Sequence, residues 1–452
     1  MAFIDRPEYI AQLRLWQNQT DLVKIVTGVR RCGKSVLFAL FQDDLLANGV
    51  NGGQIISINL EDENQTKQAG LKFNQKNKLL EGYDVLLDFI MGKLIKNGKT
   101  YIFLDEIQLL DNWHKLANAL RLQKNVDVYL TGSNAHIFSS DLSNAFGGRY
   151  VEIKMQPLSF KEYLSGKRSM RFQGPEMAAD LSNDIALQYE DYTRESAFPQ
   201  TLAFGGNQDM INTYLLDSVY RNTAQKDIVQ RFNIDNPFRL DEVIKFMFDN
   251  IGNETSLLGV QRKLKNSGID IAPTTLNTYV KGLVDSYLLY KCERYDLKGK
   301  RILESDAKYY CADIGLRTAL LGRHDADIGR ALENVVYLEL IRRGYEARVG
   351  KVKTKADKTG KKIENRTIEV DFVATRAGGT VEYYQVAWSV LGNAETLRRE
   401  LAPLEEIKDN YPKYLLTMDP GFGDNNGIKR LNVLRWLVEF DGTKTGANNR
   451  LI

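Results

Sequence analysis

The stretch LVKIVTGVRRCGKSV, residues 22–36, constrains the fold of this 452-residue chain more than any other segment. An apolar, β-branched run leads into a sequence that fits the phosphate-loop pattern G-x-x-x-x-G-K-[ST] at every specified position. Apolar residues typical of a helix follow at 36–41. A strand, a glycine-rich turn and a helix in this order aim several backbone N–H groups at a bound phosphate. The segment therefore predicts an α/β nucleotide-binding domain built on a parallel sheet.

The loop supplies the predicted nucleotide-binding residues. Two glycines keep the approach of a phosphate open, Lys34 would reach the β- and γ-phosphates, and the Ser35 hydroxyl would take a place on Mg²⁺. A glycine-rich turn that binds nothing is the alternative, and the flanking strand and helix patterns argue against it. The predicted set is Gly28, Val29, Arg30, Arg31, Cys32, Gly33, Lys34, Ser35 and Val36.

A second apolar segment, TYIFLDE at residues 100–106, ends in two carboxylates. Asp105 is predicted to hold Mg²⁺, directly or through its waters, and Glu106 to orient and polarise the attacking water. Two solvated acids at a strand end are the ordinary alternative. The position of the segment after the phosphate loop, in an alternating strand–helix chain, favours the functional interpretation.

Two further polar positions follow the next predicted strand, residues 126–130. Asn134, or Ser133 before it, is expected to touch the γ-phosphate or the lytic water, unless it caps an Asx-type turn. Arg149 follows a Gly-Gly turn. Three roles are open for Arg149. It could act as an arginine finger on the nucleotide of a neighbouring subunit, which would require a homo-oligomer, or as an internal sensor of the nucleotide. The third alternative is a surface arginine without a catalytic role.

The segments RPEYI, VTGVRRCGKS, IFLDEIQ, LTGSN and GGRYVEIKMQPLSFKEYL together resemble the AAA+-type ATPases common in bacteria and archaea. The resemblance covers residues 1–165 strongly and the remainder loosely. It implies ATP rather than GTP as the nucleotide, with the glycines, Lys34, Ser35, Asp105 and Glu106 in the roles given above. It also implies a helical lid over the adenine and a C-terminal region of unassigned function.

Length and composition set the remaining bounds. A chain of 452 residues is too long for one core. We expect an ATPase domain at 1–156, a helical lid at 157–238, a winged-helix-like domain at 239–302 and an α/β domain at 303–452. Three scattered cysteines and three histidines argue against a disulfide framework and a zinc site. No apolar run approaches the ~20 residues of a membrane span, and the N-terminus lacks a signal-peptide core, so we expect a cytoplasmic protein without membrane contact.

Residues 240–300 show three helical patterns followed by a hairpin pattern, an order that suits a winged helix. Thr275, Asn277, Thr278 and Lys281 would project from its recognition helix, and Lys263 and Lys265 would meet DNA phosphates. A module that packs against protein is the rival interpretation, and the net charge of +3 does not decide between them.

In the C-terminal region a predicted helix carries Glu333, and the next predicted strands carry Asp371 and Gln385. This order of residues resembles the nuclease fold of restriction enzymes and Holliday-junction resolvases, and the three side chains could supply oxygen ligands to Mg²⁺. An amide replaces a carboxylate at Gln385, and Ala387 stands where the fold's lysine is expected. We therefore expect a restriction-endonuclease-like fold with a vestigial site and doubtful cleavage.

Three functions remain open at this point. The first is a Mg²⁺-dependent ATPase whose hydrolysis moves the C-terminal domains, acting on DNA through the winged helix. The second is a slow nucleotide-gated switch that binds DNA or protein, and the third is an ATP-gated nuclease. Small-molecule kinases rank lower, because two acids at the strand end suit water activation and no substrate pocket can be read from the sequence.

Overall fold

The computed structural model describes residues 3–96, 98–133, 146–171, 185–229, 231–232, 234, 236–323, 327–356 and 364–439. Within those ranges, no helix combines the length and the apolar character that crossing a membrane requires. The three cysteines are buried free thiols, in agreement with the absence of a predicted disulfide framework.

A five-stranded parallel sheet forms the N-terminal domain, as the phosphate-loop segment predicted. Its strands are β1 (Val23–Thr27), β2 (Ile55–Asn59), β5 (Thr100–Asp105), β6 (Val126–Gly132) and β7 (Tyr150–Lys154). Their spatial order is β2-β5-β6-β1-β7, and every neighbouring pair is parallel. Since β1, β5 and β6 are buried along their whole length, the apolar runs seen in the sequence serve both faces of the sheet.

Helices cover this sheet, and a small hairpin lies beside it. The helices are α1 (Pro7–Trp16), α2 (Lys34–Ala47), α3 (Glu63–Gln68), α4 (Tyr83–Met91) and α5 (Trp113–Arg121), and the hairpin is β3 (Lys72–Asn74) with β4 (Leu79–Glu81). Because consecutive strands are parallel, the ends of β1, β2 and β5 meet at one edge of the sheet. That edge carries the predicted site.

The region after β7 is helical, as expected. It contains α6 (Phe160–Arg171), α7 (Ile185–Glu195), a 3₁₀-helix (Pro199–Phe204), α8 (Gln208–Thr213) and two π-helical segments, Tyr214–Arg221 and Thr223–Val229. The 3₁₀-helix and the first π-helical segment reach the edge of the sheet where the phosphate loop lies. We call the region from α6 to Val229 the helical cap.

Three helices and a hairpin follow in the predicted order: α9 (Pro237–Asp249), α10 (Leu257–Asn266), α11 (Pro273–Asp285), β8 (Leu289–Asp296) and β9 (Arg301–Cys311). Strand β8 then pairs in parallel with β10 (Glu346–Ala356), so the hairpin continues into the C-terminal sheet. The boundaries expected at 238/239 and 302/303 lie within α9 and β9. A hairpin shared by two regions cannot be recognised from local composition.

The C-terminal region is an eight-stranded sheet with helices. Its further elements are α12 (Ile314–Leu321), α13 (Ile328–Arg342), β11 (Glu364–Thr375), β12 (Val381–Ala387), α14 (Ala394–Glu405), β13 (Lys413–Thr417), β14 (Gly423–Asn425), β15 (Ile428–Asn432) and α15 (Val433–Glu439). The strand order is β14-β15-β13-β12-β11-β10-β8-β9. Strands β10 to β12 form an antiparallel meander, and β13 runs parallel to β12.

Candidate functional site

A cavity of about 920 Å³ opens at the carboxyl ends of β1, β2 and β5, between the phosphate loop and the helical cap. The loop and the start of α2 form one wall, and Leu60, Glu61 and the β3–β4 hairpin form another. The wall contributed by the helical cap consists of Pro199, Gln200, Tyr214, Ser218 and Asn222. The cavity therefore lies where the sequence placed the nucleotide.

Gly28 and Gly33 shape the loop by close approach and by backbone conformation. Gly28 has φ +152°, and a Cβ added to it would lie 2.1 Å from the carbonyl oxygen of Met155, directly after β7. Gly33 has φ +105° and immediately precedes α2. Because side chains rarely adopt these conformations, both positions favour glycine for structural reasons as well as for phosphate access.

The ammonium group of Lys34 lies inside the loop and next to Glu106. It donates to the carbonyl oxygens of Gly28 (3.1 Å) and Val29 (3.4 Å) and lies 3.6 Å from Glu106 Oε1. Burial, the largest single effect, would lower the pKa of Lys34, but the nearby acidic groups, of which Glu106 acts most strongly, together raise this pKa above its ordinary value. Lys34 is therefore a buried, charged group at the wall of the cavity.

Ser35 and Asp105, the two residues predicted to bind magnesium, are in contact with each other. Burial raises the pKa of Asp105, although hydrogen bonds from the hydroxyls of Ser35 and Thr131 act in the opposite direction. A hydroxyl and a carboxylate in contact fit Mg²⁺, which is usually held by one or two carboxylates, substrate phosphates and waters. No cluster of three or more His, Cys, Asp or Glu side chains suited to a metal occurs in the described part of the chain, so an all-protein metal cage is not the type of site found here.

Glu106 is held by its backbone and its side chain. Its φ of +53° is uncommon for a residue other than glycine, and its N–H donates to Thr131 Oγ1 at 2.9 Å. Its carboxylate accepts from the Gln108 amide, which also donates to Ser133 Oγ at 3.2 Å. Burial would raise the pKa of Glu106, but Lys34 and then Arg30 hold it below its ordinary value. Glu106 is thus an oriented, ionised carboxylate.

Sequence reasoning missed two of these residues. Thr131 connects Asp105 with the backbone of Glu106, and Gln108 orients the Glu106 carboxylate. The available signals were a hydroxyl residue at the end of the strand that neighbours β5 and an amide two positions after Glu106. The hydroxyl identifies no partner until the strand order is known, whereas the amide lies close to Glu106 in sequence and only its orientation required the structure.

The other loop residues divide between cavity and core. Arg30 and Arg31 line the cavity, and Arg30 lies 3.5 Å from Glu61. Val29 and Cys32 are fully buried, and the thiol of Cys32 lies 3.7 Å from the carbonyl oxygen of Met155. Burial raises the pKa of this thiol. Cys32 is therefore a core residue.

The structure places Arg149 away from the cavity, and Asn134 lies outside the described residues. Arg149 directly precedes β7, 3.8 Å from Asp21 Oδ2, whereas the phosphate loop follows the opposite end of the parallel neighbour β1. The internal-sensor interpretation of Arg149 does not fit this position. Its role on the nucleotide of a neighbouring subunit stays a prediction.

Glu333, Asp371 and Gln385 come together in the C-terminal region. Glu333 on α13 lies 2.8 Å from the ammonium of Lys308, and Asp371 on β11 lies 4.0 Å from it. The Asp371 N–H donates to Gln385 Oε1 at 3.3 Å. Lys308 on β9 was missed, because nothing in the sequence indicates that β9 joins this sheet.

A known family matches the part of the chain that builds the cavity. Residues 20–164 match the family described as AAA domain, and residues 186–327 match one described as a domain of unknown function. An uncharacterized protein of Haemophilus influenzae is 32% identical over 441 residues, covering 97% of this chain and 99% of that protein. An uncharacterized protein of Methanocaldococcus jannaschii is 28% identical, covering 86% of this chain and 79% of that protein. The solved Walker-type ATPase of Pyrococcus abyssi is similar with 16% identity and a TM-score of 0.41, over 70% of this chain and 96% of that chain.

The contact of Gly28 with Met155 leads to a test of the loop. In Gly28→Ala the new methyl group must displace the loop from the Met155 carbonyl, at a cost of about 1–3 kcal/mol. We expect calorimetry to show MgATP affinity reduced about tenfold or more. Gly52→Ala is the matched control, because a Cβ there meets nothing within 4 Å. Unchanged affinity in Gly28→Ala would contradict the proposed fit of the loop.

Proposed function

Because the chain belongs to a family of AAA-domain proteins, which it shares with its Haemophilus influenzae relative, we propose that it is a Mg²⁺-dependent ATPase. One observation carries the proposal: Lys34, Ser35 and Glu106 line a cavity large enough for a nucleotide, and Asp105 accepts a hydrogen bond from Ser35 there. Ser35 and Asp105 would hold Mg²⁺, which when bound neutralises phosphate charge.

The chain's own residues would then divide the work of hydrolysis. The backbone of the loop binds the phosphates. When nucleotide is bound, the ammonium of Lys34 pairs with the γ-phosphate instead of Glu106. Glu106, oriented by Gln108, accepts a hydrogen bond from the attacking water and polarises it. Its low pKa keeps it ionised for this role at neutral pH. The wall formed by the helical cap covers the nucleotide and excludes bulk water.

Two variants separate binding from turnover. Glu106→Gln removes the carboxylate that polarises water, so we expect steady-state ATP hydrolysis to fall about 10²–10⁴-fold while calorimetry shows MgATP still bound. Lys34→Ala is expected to weaken binding itself. The exposed carboxylate Glu81 offers a control of the same chemical change, Glu81→Gln. Full turnover by Glu106→Gln would refute the assignment, and negligible turnover by a wild type that binds MgATP would support the slow-switch alternative.

The helical cap is also joined to the C-terminal region, which supports coupling between nucleotide and C-terminal domains. Asp313 is buried at the start of α12 and accepts from the N–H of Ala197 (2.7 Å), two residues before the cavity wall at Pro199. A Cβ on Gly315 would lie 2.5 Å from the Cα of Ser196. With no space between these segments, movement of the cap shifts α12.

Asp313→Ala tests this connection. In a Glu106→Gln background, which retains ATP, we expect MgATP to change amide hydrogen exchange in both the cap and α12. Asp313→Ala should keep MgATP affinity and lose the change in α12. Asp419→Ala is the matched control, because Asp419 is also buried and accepts from Val390 and Leu391 N–H groups without contacting the cap. If MgATP still changes amide hydrogen exchange in α12 of Asp313→Ala, the Asp313 contact does not connect the cap with α12 in the proposed way.

We further propose that α9–α11 and the β8–β9 hairpin form a winged-helix module that contacts DNA. Lys263 and Lys265 on α10, and Asn277 and Lys281 on α11, are exposed, which supports the proposed contact surface. The helix–three strands–helix–strand order from α13 to β13 likewise supports a nuclease-like fold for the C-terminal region.

Salt dependence tests the DNA contact. Binding of a short mixed-sequence duplex, followed by fluorescence anisotropy, should weaken steeply with salt because phosphate contacts release counterions. Replacing one phosphate-contacting lysine, as in Lys263→Gln, should lower the salt slope by about 1. Lys429→Gln, an exposed lysine on β15, should leave the slope unchanged. A salt-independent or undetectable interaction would favour packing against protein instead.

A further inference from the structure

The ammonium of Lys308 lies within a group of three carboxylates in the C-terminal region. Its Nζ is 2.7 Å from Glu369 Oε1, 2.8 Å from Glu333 Oε1 and 4.0 Å from Asp371 Oδ1. Only 7% of the Lys308 side chain is exposed. These carboxylates come from α13 and β11, whereas Lys308 arrives from β9 on the shared hairpin.

Each carboxylate of the cluster has a donor besides Lys308. The Tyr310 hydroxyl donates at 2.6 Å to Glu333 Oε1, the same oxygen that contacts Lys308, and Glu369 Oε2 lies 2.6 Å from the ammonium of Lys351. Asp371 Oδ2 accepts from the Val386 N–H at 2.8 Å. At least one further donor therefore competes with a metal ion at each of the three carboxylates.

Gln385 is turned away from a ligand role. Its Oε1 accepts from the Asp371 N–H at 3.3 Å, and its Nε2 donates to Glu400 Oε2 at 3.0 Å. The amide thus connects β12 with β11 and α14. Gln385 Oε1, the oxygen predicted to bind Mg²⁺, therefore accepts a backbone hydrogen bond instead.

A divalent cation does not fit this arrangement. Mg²⁺ needs oxygens at about 2.0–2.1 Å in near-octahedral geometry, and the Lys308 ammonium lies between the oxygens that would have to converge. An ammonium group has three N–H donors and a positive charge, so it can serve several carboxylates at once. Among the described residues no metal-binding cluster is formed, in agreement with this geometry.

We propose that the ammonium of Lys308 takes the position that a divalent cation would occupy in a nuclease, and that this cluster holds no metal in the native protein. The C-terminal region then lacks the metal ion that nuclease chemistry uses, and the cluster joins the β8–β9 hairpin to α13 and β11. The inference rests on the nuclease-like fold proposed for this region and is independent of the proposed ATPase activity.

Metal binding by the full chain without nucleotide tests the proposal, with Mn²⁺ as the probe. All proteins carry Asp105→Asn, which removes the phosphate-loop site from the measurement. We expect electron paramagnetic resonance to detect no Mn²⁺ bound by this parent and thermal unfolding to be unaffected by Mn²⁺. Lys308→Met keeps much of the side-chain volume but leaves the carboxylates without their cation. We therefore expect this variant to unfold at a lower temperature than the parent in the presence of a chelator, and Mn²⁺ to raise its unfolding temperature again.

Two controls sharpen the outcome. Lys351→Met removes the neighbouring ammonium, which lies between Glu254 and Glu369 and has no contact with Asp371, and should not create a Mn²⁺ site. Adding Asp371→Asn to Lys308→Met should abolish the recovery. A folded Lys308→Met that binds no Mn²⁺ would overturn the proposal.

The parent protein decides the matter even where Lys308→Met fails to fold. If the parent binds Mn²⁺ and Asp371→Asn abolishes this binding, the proposal is overturned, because that result would show a metal site beside an intact Lys308. Absence of Mn²⁺ from the parent supports it. The result does not depend on whether the phosphate loop binds ATP.

Discussion

One buried guanidinium group holds the phosphate loop against the rest of the molecule. Arg6 donates to the carbonyl oxygens of Cys32 in the loop (3.1 Å) and Gln156 after β7 (2.8 Å), and pairs with Glu162 on α6 at 2.7 Å. A buried charge is tolerated only when it is paired and hydrogen-bonded, and the planar fork of an arginine can meet three acceptors at once. Because Arg6 links the loop, the segment that follows β7 and the helical cap, the shape of the cavity depends on this interaction.

Two buried lysines show how context separates a binding site from a structural cluster. Lys34 lies at a cavity wall with two carbonyl oxygens and one carboxylate as neighbours, so a ligand has access to it. Lys308 is enclosed by carboxylates that have further donors of their own. The same functional group therefore faces a cavity in one region and is enclosed by carboxylates in the other.

The regions of this chain share elements. The β8–β9 hairpin follows α11 in sequence but extends the C-terminal sheet through β10. Asp313 connects α12 to the helical cap, and the guanidinium of Arg342 on α13 donates to the carbonyl oxygen of Pro157 at 3.2 Å. Nucleotide-dependent movement of the cap would consequently act on buried contacts rather than through a flexible linker.

The sequence by itself determined the glycine-rich loop, the acidic strand end, the parallel α/β fold of the N-terminal domain and the order of three helices and a hairpin after the helical cap. These follow from local patterns, since chain neighbours set backbone conformation and periodicity sets the buried face. Tertiary structure alone decided that Thr131 supports Asp105 and Glu106, that the parallel pairing of β7 with β1 places Arg149 away from the phosphate loop, and that Lys308 meets Glu333 and Asp371. Each of these depends on strand order and register between segments distant in the chain, and a side chain's own sequence neighbours carry no record of which strand will lie beside it.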